Sequence, residues 1–530
     1  MKRSELIALG IILFVSLIST RVFFQPVFFP THDLEYHIIR LWQFDQNIRA
    51  GIFIPRWAPD LNHGYGVPLF SFFYPLPNYI AETFRAFHFS YIESVYSTVA
   101  VGFILSPFTF YWWARRFFNV RASVISSLFY MLAPYHLVDV YIRGSIGEVW
   151  ILALAPLMFG ASTQIVQKHN LETSSIILAL SSAFLLLSHT VLGIAFFIGG
   201  LGYSFLFAFL EKKYDLRMSV RLLIGYSIGL LLSAYFYLPI IFESSYIRGL
   251  EIMGVDDHFP TLLQLLLPSW GSGFSVPGPD DSMSFQIGVA HVVVLIAATM
   301  LVIKKKNLHM AVWVSIVFMI IFLMLEWSKG VWDLFSFLNY FQFPWRLLSI
   351  VIFGTSFLAG YVFEQLKSKY LMGIILVLFL FYFRYTYPVT YQKRTDDFYL
   401  SNPDWTNGTA TLANSFNTIW FSIPSARENN KTIRLESKTP IQQRYTVSSD
   451  ESFVFTPQIA YFPGWEGQID QNHSPVENEK GIASLSVPAG THSVVLKLKE
   501  TPVQKQGALL SITGIIVLIS IPIISYARRN

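Results

Sequence analysis

The sequence contains no cysteine and is poor in charged residues. Without cysteine, disulfides, thiolate nucleophiles and Cys-ligated metals are excluded, and the redox compartment stays undecided. Charged residues make up 13% of the 530 residues, whereas a soluble globular protein carries about 25%. Because 53% of the residues are hydrophobic, a soluble fold would not cover this much apolar surface. The composition therefore predicts a protein that lies largely in a lipid bilayer.

Common cofactor motifs are also missing. The sequence has no P-loop, no G-x-G-x-x-G, no H-E-x-x-H and no zinc-type ligand spacing. The formal net charge of +5 is modest, and we expect no nucleic-acid partner.

Long apolar segments, in contrast, are abundant. A spanning helix needs roughly 20 mostly apolar residues. Twelve segments are candidates, at about 5–24, 93–114, 121–138, 149–166, 173–188, 191–210, 219–241, 286–303, 308–325, 345–363, 370–386 and 507–526. The fifth and sixth share one apolar run that is split at Ser188-His189-Thr190. The first follows Lys2 and Arg3 as a signal peptide would, but no small-x-small cleavage site follows, so we expect a retained helix.

Basic residues in alternate short loops predict the orientation of these helices. They are Lys2, Arg3, Arg115, Arg116, Arg121, Lys168, Lys212, Lys213, Arg217, Lys304, Lys305, Lys306, Lys367, Lys369, Arg528 and Arg529. These loops are expected to face the cytoplasm. The protein would then be an integral protein of the cytoplasmic membrane with both termini on the cytoplasmic side and an active site on the outer face. The opposite, outer face then carries the segments 25–92, 242–285, 326–344 and 387–506.

The sequence predicts an α-helical polytopic membrane protein of about twelve transmembrane helices with an external C-terminal β-sandwich-like domain. Residues 1–386 would form the transmembrane domain, 387–506 the β-rich domain, and 507–530 a last helix with a cytoplasmic tail. The β prediction rests on alternating stretches such as "RYTVSS" and "HSVVLKLK", separated by turns such as "PGWEG". Trp465, in that turn, is expected in the core of the β domain.

The large first outer segment divides into two parts. "DLEYHIIRLWQFDQNIRAG" has the apolar spacing of an amphipathic helix, with Leu34, Ile38, Leu41 and Trp42 on one side. Such a helix would lie along the membrane interface rather than across it. "IPRWAPDLNHGYGVPLFSFFYPLPNYI" is rich in Pro, Gly and aromatic residues, and we expect an ordered loop packed on the membrane surface.

A group of charged residues stands at the start of that amphipathic helix. If the helix begins at Asp33, then Asp33, His37 and Arg40 share one face and Glu35 points nearly the opposite way. If the chain is extended through Leu34, the two carboxylates point the same way and can converge on one ligand as a base with an electrostatic or metal partner. The alternative to a site is an ordinary helix start, where acids favour the helix dipole.

Three arginines, Arg143, Arg248 and Arg346, violate the expected scarcity of basic residues on the outer face. Arg143 lies in "VYIRGSIGE" and Arg346 in "FQFPWRLL". A guanidinium at the interface suits a phosphate through bidentate hydrogen bonds. The alternative is interfacial snorkelling or an ion pair with Glu148 or Glu326.

Further candidates for substrate binding are polar residues of the outer segments, each with a purely structural role as the alternative. They are His37, Arg40, Arg56, His63, His189, Asp257 and His258.

The arrangement resembles the polytopic glycosyltransferases of the GT-C class, in which an acidic D-x-D or D-x-E-like motif follows the first span. Asp33-Leu34-Glu35 has that place and form. "THDLEYH", "AGIFIPRWAPDLNHGYGVPLFSFFYPLPNYI", "FQFPWRLL" and "YFPGWEGQID" are similar to the bacterial YfhO-like membrane proteins. They are also similar to the membrane proteins called 6-pyruvoyl-tetrahydropterin-synthase-related, a name that implies no pterin chemistry.

The resemblance implies transfer of a sugar from a polyprenyl-phosphate donor to an envelope glycan, lipid or protein on the outer side. Asp33 would be the base that deprotonates the acceptor hydroxyl, and Glu35 would orient the acceptor or help to hold a divalent cation such as Mg or Mn. Arg346, and then Arg143, would bind the donor phosphate. Two other functions stay open, a transporter or flippase for a lipid-linked glycan and a non-catalytic envelope assembly protein.

Overall fold

A computed structural model describes residues 2–25, 28–249, 255–365, 369–388, 390–423 and 432–527. Lys367, Arg528 and Arg529, used above for the orientation, lie outside the described residues. The α-helices of this part are α1 Arg3–Thr20, α2 Leu34–Arg49, α3 Leu69–Phe72, α4 Leu76–Arg85, α5 Tyr91–Ala114, α6 Val120–Met131, α7 Pro134–Val138, α8 Ile146–Val166, α9 Leu171–Ser188, α10 Thr190–Leu210, α11 Leu216–Glu243, α12 Leu262–Leu266, α13 Val289–Lys305, α14 Leu308–Met324, α15 Lys329–Leu334, α16 Leu348–Gln365, α17 Lys369–Leu380, α18 Asp396–Leu400, α19 Pro403–Thr406 and α20 Pro502–Ala527. The strands are β1 Thr432–Thr439, β2 Gln442–Ser449, β3 Phe453–Phe455, β4 Trp465–Ile469, β5 Asn472–Ser474, β6 Glu477–Glu479, β7 Ile482–Val487 and β8 Gly490–Leu498.

Each of the twelve predicted segments is helical in the structure. Among the described residues, eight helices are long and apolar enough to cross a membrane, or up to ten if two bent pairs each form one span. Those pairs are Val120–Met131 with Pro134–Arg143, bent by 44°, and Leu308–Met324 with Glu326–Leu334, bent by 90°. The other two segments are shorter than expected, since α13 has 17 residues and α17 has 12. The chain is an integral membrane protein with eight to ten candidate spans.

The centre of the helical part is formed by α8 and α16. Almost all of their side chains are buried, because other helices surround them on every side. α5, α9 and α10 pack on α8, while α6, α13 and α14 pack on α16. α20 packs along α11 at the periphery, and many of its apolar side chains are exposed to the surroundings.

The first outer segment contains more helix than the sequence indicates. The predicted amphipathic helix is confirmed as α2, with Leu34, Ile38 and Leu41 fully buried and Trp42 half-buried. The sequence predicted a loop after α2. This was wrong for the end of that stretch, where the helix α4 begins within "PLPN". Proline is tolerated in the first turn of a helix, where its missing N–H has no partner anyway.

The residues just after α17 also differ from the prediction of strands. α18 and α19 are short helices that pack against α2. The carboxylate of Asp396 accepts hydrogen bonds from the backbone N–H groups of Tyr91 and Ile92 at 2.8 and 3.1 Å. These contacts attach the segment to the start of α5, because the first N–H groups of a helix have no partner within it. The predicted domain boundaries themselves stay predictions.

The β domain is two packed antiparallel sheets, as predicted. One sheet has the order β1-β2-β8-β4-β5 and the other the order β3-β7-β6. Tyr445, Val447, Leu485 and Leu496 lie in the core between the sheets. Trp465 is buried in the same core, as expected, and contacts Trp57 of the first outer segment edge-to-face at 5.5 Å between ring centroids. The domain is therefore joined to the first outer segment by apolar packing.

Candidate active site at the start of α2

The backbone around Asp33 is fixed by a second segment of chain. α2 begins at Leu34, and Asp33 is the residue that precedes its first turn. The backbone N–H groups of His32 and Asp33 donate to the carbonyl oxygens of Ile142 and Arg143, at 3.0 and 2.8 Å. The N-terminus of α2 is thus held against the residues before α8.

Those residues form one turn of π-helix, Asp139–Arg143, followed by Gly144. Gly144 has φ +63°, and a Cβ there would stand 2.3 Å from the Thr31 Oγ1 and 2.5 Å from the Leu34 Cγ. Only glycine permits both this backbone conformation and this close approach. π-helical turns occur frequently at functional sites because they redirect side chains within a helix.

The Asp33 carboxylate is half-buried and has no side-chain hydrogen bond to any described residue. It interacts electrostatically with His32, Arg40, Tyr74 and Arg346. A carboxylate that makes no hydrogen bond to a described residue has its oxygens available to accept a hydrogen bond from the hydroxyl group of a ligand.

Glu148 connects the two predicted arginines. Its Oε1 lies 2.7 Å from the Arg143 Nη2 and 3.4 Å from the Arg346 Nε. The hydroxyl of Tyr135 donates to the other carboxylate oxygen at 2.9 Å. The ion pair with Glu148, which the sequence left as an alternative, is thus present for both arginines, whereas Glu326 contacts Lys329 instead.

The two arginines differ in how completely they are engaged. Arg143 also contacts the Asp139 Oδ1 at 2.5 Å and donates to the Tyr135 hydroxyl at 3.1 Å. Arg346 donates from Nη1 to the Phe341 carbonyl at 3.0 Å and to the Gln342 Oε1 at 2.6 Å. Its Nε is buried and faces Glu148, whereas its Nη2 makes no hydrogen bond to a described residue. Arg346 is therefore the arginine with a donor left for a ligand.

Tyr74 is a central residue of the site that the sequence analysis missed. Its ring stacks on that of His189 at 5.3 Å, and the side chain interacts electrostatically with Asp33, Arg40 and Glu148. Its hydroxyl has no hydrogen bond to a described residue. Because aromatic residues make up 17% of the sequence, a tyrosine in "FFYPLP" does not stand out from its neighbours.

His189 occupies the break between α9 and α10. It ends one helix and precedes the other, and its Nδ1 accepts from the Leu192 backbone N–H at 3.4 Å. The split predicted at this position is confirmed. His189 lies beside Tyr74 and interacts electrostatically with Glu148, Arg143 and Arg346, so it belongs to the same site.

His37 and Arg40 lie on the same side of α2 as Asp33, but both are buried. Arg40 donates from Nε and Nη2 to the Ala410 carbonyl at 2.9 and 2.6 Å, and its guanidinium lies 4.0 Å from the Phe73 ring centroid. Burial, together with neighbouring Arg40, holds the pKa of His37 well below its usual range. Arg40 thus holds residue 410 against α2.

Glu35 points to a different part of the structure. It forms an ion pair with Arg394 and contacts the Tyr399 hydroxyl at 3.3 Å. Burial raises the pKa of Glu35, and the charge of Arg394 opposes that rise. Of the two arrangements that the sequence left open, the structure has the helical one, in which Asp33 and Glu35 do not converge.

Among the described residues, no hydrogen bond or ion pair joins the other predicted residues to Asp33. Arg56 is buried and donates to the Tyr235 carbonyl at 3.0 Å. His63 is exposed in a turn, and its carbonyl accepts from the Gln458 side chain at 2.6 Å. Asp257 is exposed, and the Nδ1 of neighbouring His258 contacts the Ser275 Oγ at 2.9 Å.

The described residues offer no evident set of ligands for a divalent cation. Among the described residues, no three or more His, Asp or Glu side chains are grouped so that they could hold a metal ion. The cation stays a prediction, and no step derived below uses it.

A family model described as 6-pyruvoyl-tetrahydropterin synthase related domain, membrane protein, matches residues 70–387, which is more than half of the chain. The chain belongs to this family of membrane proteins. The matched region contains Tyr74, Arg143, Glu148, His189 and Arg346, whereas Asp33 precedes it.

The chain is also similar to solved structures of arabinofuranosyltransferase AftD from mycobacteria. One covers 73% of this chain with a TM-score of 0.46 and 12% identity. A mutant form covers 74% with a TM-score of 0.48 and the same identity. The chain spans 26% and 29% of the length of those two chains. No curated protein matches the sequence.

Proposed function

We propose that this membrane protein is a glycosyltransferase that moves a sugar from a polyprenyl-phosphate donor to a glycan, lipid or protein acceptor at the outer face of the cytoplasmic membrane. The observation that carries the proposal is the Asp33 carboxylate, which is half-buried without a hydrogen bond to any described residue and interacts electrostatically with Arg346. The D-x-E-like motif after the first helix and the family resemblance support it.

In this mechanism the Asp33 carboxylate takes the proton of an acceptor hydroxyl as the hydroxyl oxygen attacks the anomeric carbon. The bond between that carbon and the donor phosphate oxygen breaks, and the phosphate leaves with the electron pair. Its negative charge is stabilised by Arg346, whose Nη2 makes no hydrogen bond to a described residue. Arg143 acts with it by pairing with both Asp139 and Glu148, so that Arg346 shares Glu148 with a second arginine.

Glu35 has a positioning role in this proposal. Its ion pair with Arg394 attaches the segment after α17 to α2 and so fixes the helix that begins next to Asp33. Glu35→Gln should therefore lower transfer less than Asp33→Asn does.

The test is transfer in proteoliposomes that contain a panel of radiolabelled polyprenyl-phosphate sugars and crude envelope acceptor. Loss of a general base costs about 10²–10⁴-fold in rate, so we expect Asp33→Asn to lose at least about 100-fold with an unchanged melting temperature. Asp404→Asn is the matched control, because Asp404 is an exposed aspartate on α19. Transfer by Asp33→Asn close to the wild-type rate would overturn the role of Asp33.

A transporter of lipid-linked glycans is the second candidate. Asp139 and Glu148 are fully buried within candidate spans, and ionisable residues inside spans often mark substrate pathways. The same proteoliposomes separate the two functions, because a transporter would move the labelled donor between leaflets without transferring its sugar.

A further inference from the structure

The five-stranded sheet of the β domain has one face away from the core. Side chains alternate between the two faces of a strand, and Tyr445, Val447 and Leu496 point into the core. The residues between them point outward and line a groove of about 330 Å³ across β2, β8 and β4. Apart from Val495, the lining is polar and consists of Gln442, Arg444, Glu466, Gln468, Lys497 and Lys499.

The strand register brings these side chains into two rows. Gln442, Lys497 and Glu466 lie side by side on the three strands. Arg444, Val495 and Gln468 form the neighbouring row. Directly opposite and diagonal neighbours on one face of a sheet interact over about 4.5–8 Å. A single ligand lying in the groove can therefore touch both rows.

The groove offers many hydrogen-bond donors and a net positive charge. Glu466, its one acid, contacts the Lys499 ammonium at 2.6 Å and is thereby neutralised. Arg444 and Lys497 have no ion pair within the described part of the chain, although they are diagonal neighbours of like charge. An oxyanion between them would relieve their repulsion and accept charge-assisted hydrogen bonds.

We propose that this groove binds a glycan with oxyanion substituents, either carboxylate or phosphate groups. The two cations suit the oxyanions, and the amides of Gln442 and Gln468 suit the hydroxyl groups of a sugar, since an amide both donates and accepts. The polar lining gives a lipid tail nothing to pack on. The role of this glycan as the acceptor rests on the proposed function, whereas its binding to the groove does not.

Binding is measured on the full-length protein in nanodiscs. The probes are polygalacturonate for carboxylates, phosphorylated dextran for phosphates, and unmodified dextran as the neutral glycan. We expect at least one anionic glycan to bind at least about tenfold more tightly than dextran, with affinity falling as salt rises. Arg444→Gln/Lys497→Gln should lower that affinity by about tenfold or more, because two charged donors are lost.

The matched control is Arg434→Gln/Lys480→Gln, which removes the same charge from exposed positions of the β domain outside the groove. Equal losses in the two double variants, or no preference for either anionic glycan over dextran, would overturn the proposal. Asp33→Asn should bind the glycan as the wild type does. Failure of transfer and failure of groove binding are therefore separate results.

Discussion

The backbone N–H of Asp33 donates to the carbonyl oxygen of Arg143 at 2.8 Å. The proposed base and an arginine from a distant part of the sequence are thereby held next to each other by main-chain atoms. Main-chain hydrogen bonds keep this separation whichever rotamers the two side chains adopt. The consequence is a preorganised site, in which a ligand meets both groups without a rearrangement of the backbone.

Gly144→Ala should disturb this arrangement. The new Cβ would stand 2.3 Å from the Thr31 Oγ1, so the start of α2 has to move and Asp33 moves with it. We expect a lower melting temperature together with a loss of transfer. Gly51→Ala is the control, because Gly51 has φ +80° but nothing within 4 Å of its added Cβ. Equal losses in the two variants would show that the close approach at Gly144 is unimportant.

Glu148→Gln should destabilise the protein strongly. Removing one partner of a buried ion pair costs about 3–5 kcal/mol, because an uncompensated charge remains, and Glu148 is a partner of both Arg143 and Arg346. Thermal unfolding in detergent measures the effect. Glu326→Gln is the control, since Glu326 pairs with Lys329 at the surface, where a pair contributes about 0–1 kcal/mol. A melting temperature unchanged by Glu148→Gln would contradict the ion pairs described here.

Tyr74→Phe should reduce transfer without reducing stability. The Tyr74 hydroxyl has no hydrogen bond to a described residue, so its removal leaves no partner unsatisfied, but the ligand loses a donor beside Asp33. We expect transfer to fall by about tenfold, the effect of losing one charge-assisted hydrogen bond. Tyr79→Phe should lower stability and leave transfer unchanged. The Tyr79 hydroxyl donates to the Phe53 carbonyl at 2.7 Å, and such a hydrogen bond contributes about 1 kcal/mol to stability. Transfer by Tyr74→Phe at the wild-type rate would contradict a role for the Tyr74 hydroxyl in binding the ligand.

The contribution of Glu82 to stability should fall as pH rises from about 4.5 to about 8. Burial, and then the neighbouring Asp45, raises the pKa of Glu82 from 4.5 to about 8. Between these values the folded state binds more protons than the unfolded state, so each increment of pH favours unfolding, and above about pH 8 the effect is complete.

Glu82→Gln tests this pH dependence. The variant does not titrate at this position, so its melting temperature should fall less between pH 5 and pH 8 than that of the wild type. Glu477→Gln, at an exposed position of β6, should keep the wild-type slope. Identical slopes in wild type and Glu82→Gln would contradict the raised pKa of Glu82.

The sequence predicted the helical segments and the β domain well, because apolar runs and strand alternation are local properties. α13 and α17 were too short for the spans predicted there. α4 was missed because prolines in its first turn resemble a loop. The two short helices after α17 were missed because a polar composition does not distinguish strands from isolated helical turns.

The site was predicted only in part, because contacts between distant segments cannot be read from one sequence. Arg143 and Arg346 were each conspicuous as basic residues on the expected outer side, and the structure brings them together at Glu148. Tyr74 carries no such signal. Glu35 stands two residues from Asp33 in the sequence, yet the geometry of a helix directs it to Arg394.

The contacts of α2 with the later chain constrain the order in which the protein can be completed. Arg40 donates to the carbonyl of Ala410, which is 370 residues further along the sequence. The ribosome synthesises α2 early. The acceptor of Arg40, the carbonyl group of Ala410, is synthesised only after most of the remaining chain. Until then the guanidinium, which is buried in the folded protein, lacks this acceptor, so the packing around α2 is completed only after most of the chain has been made.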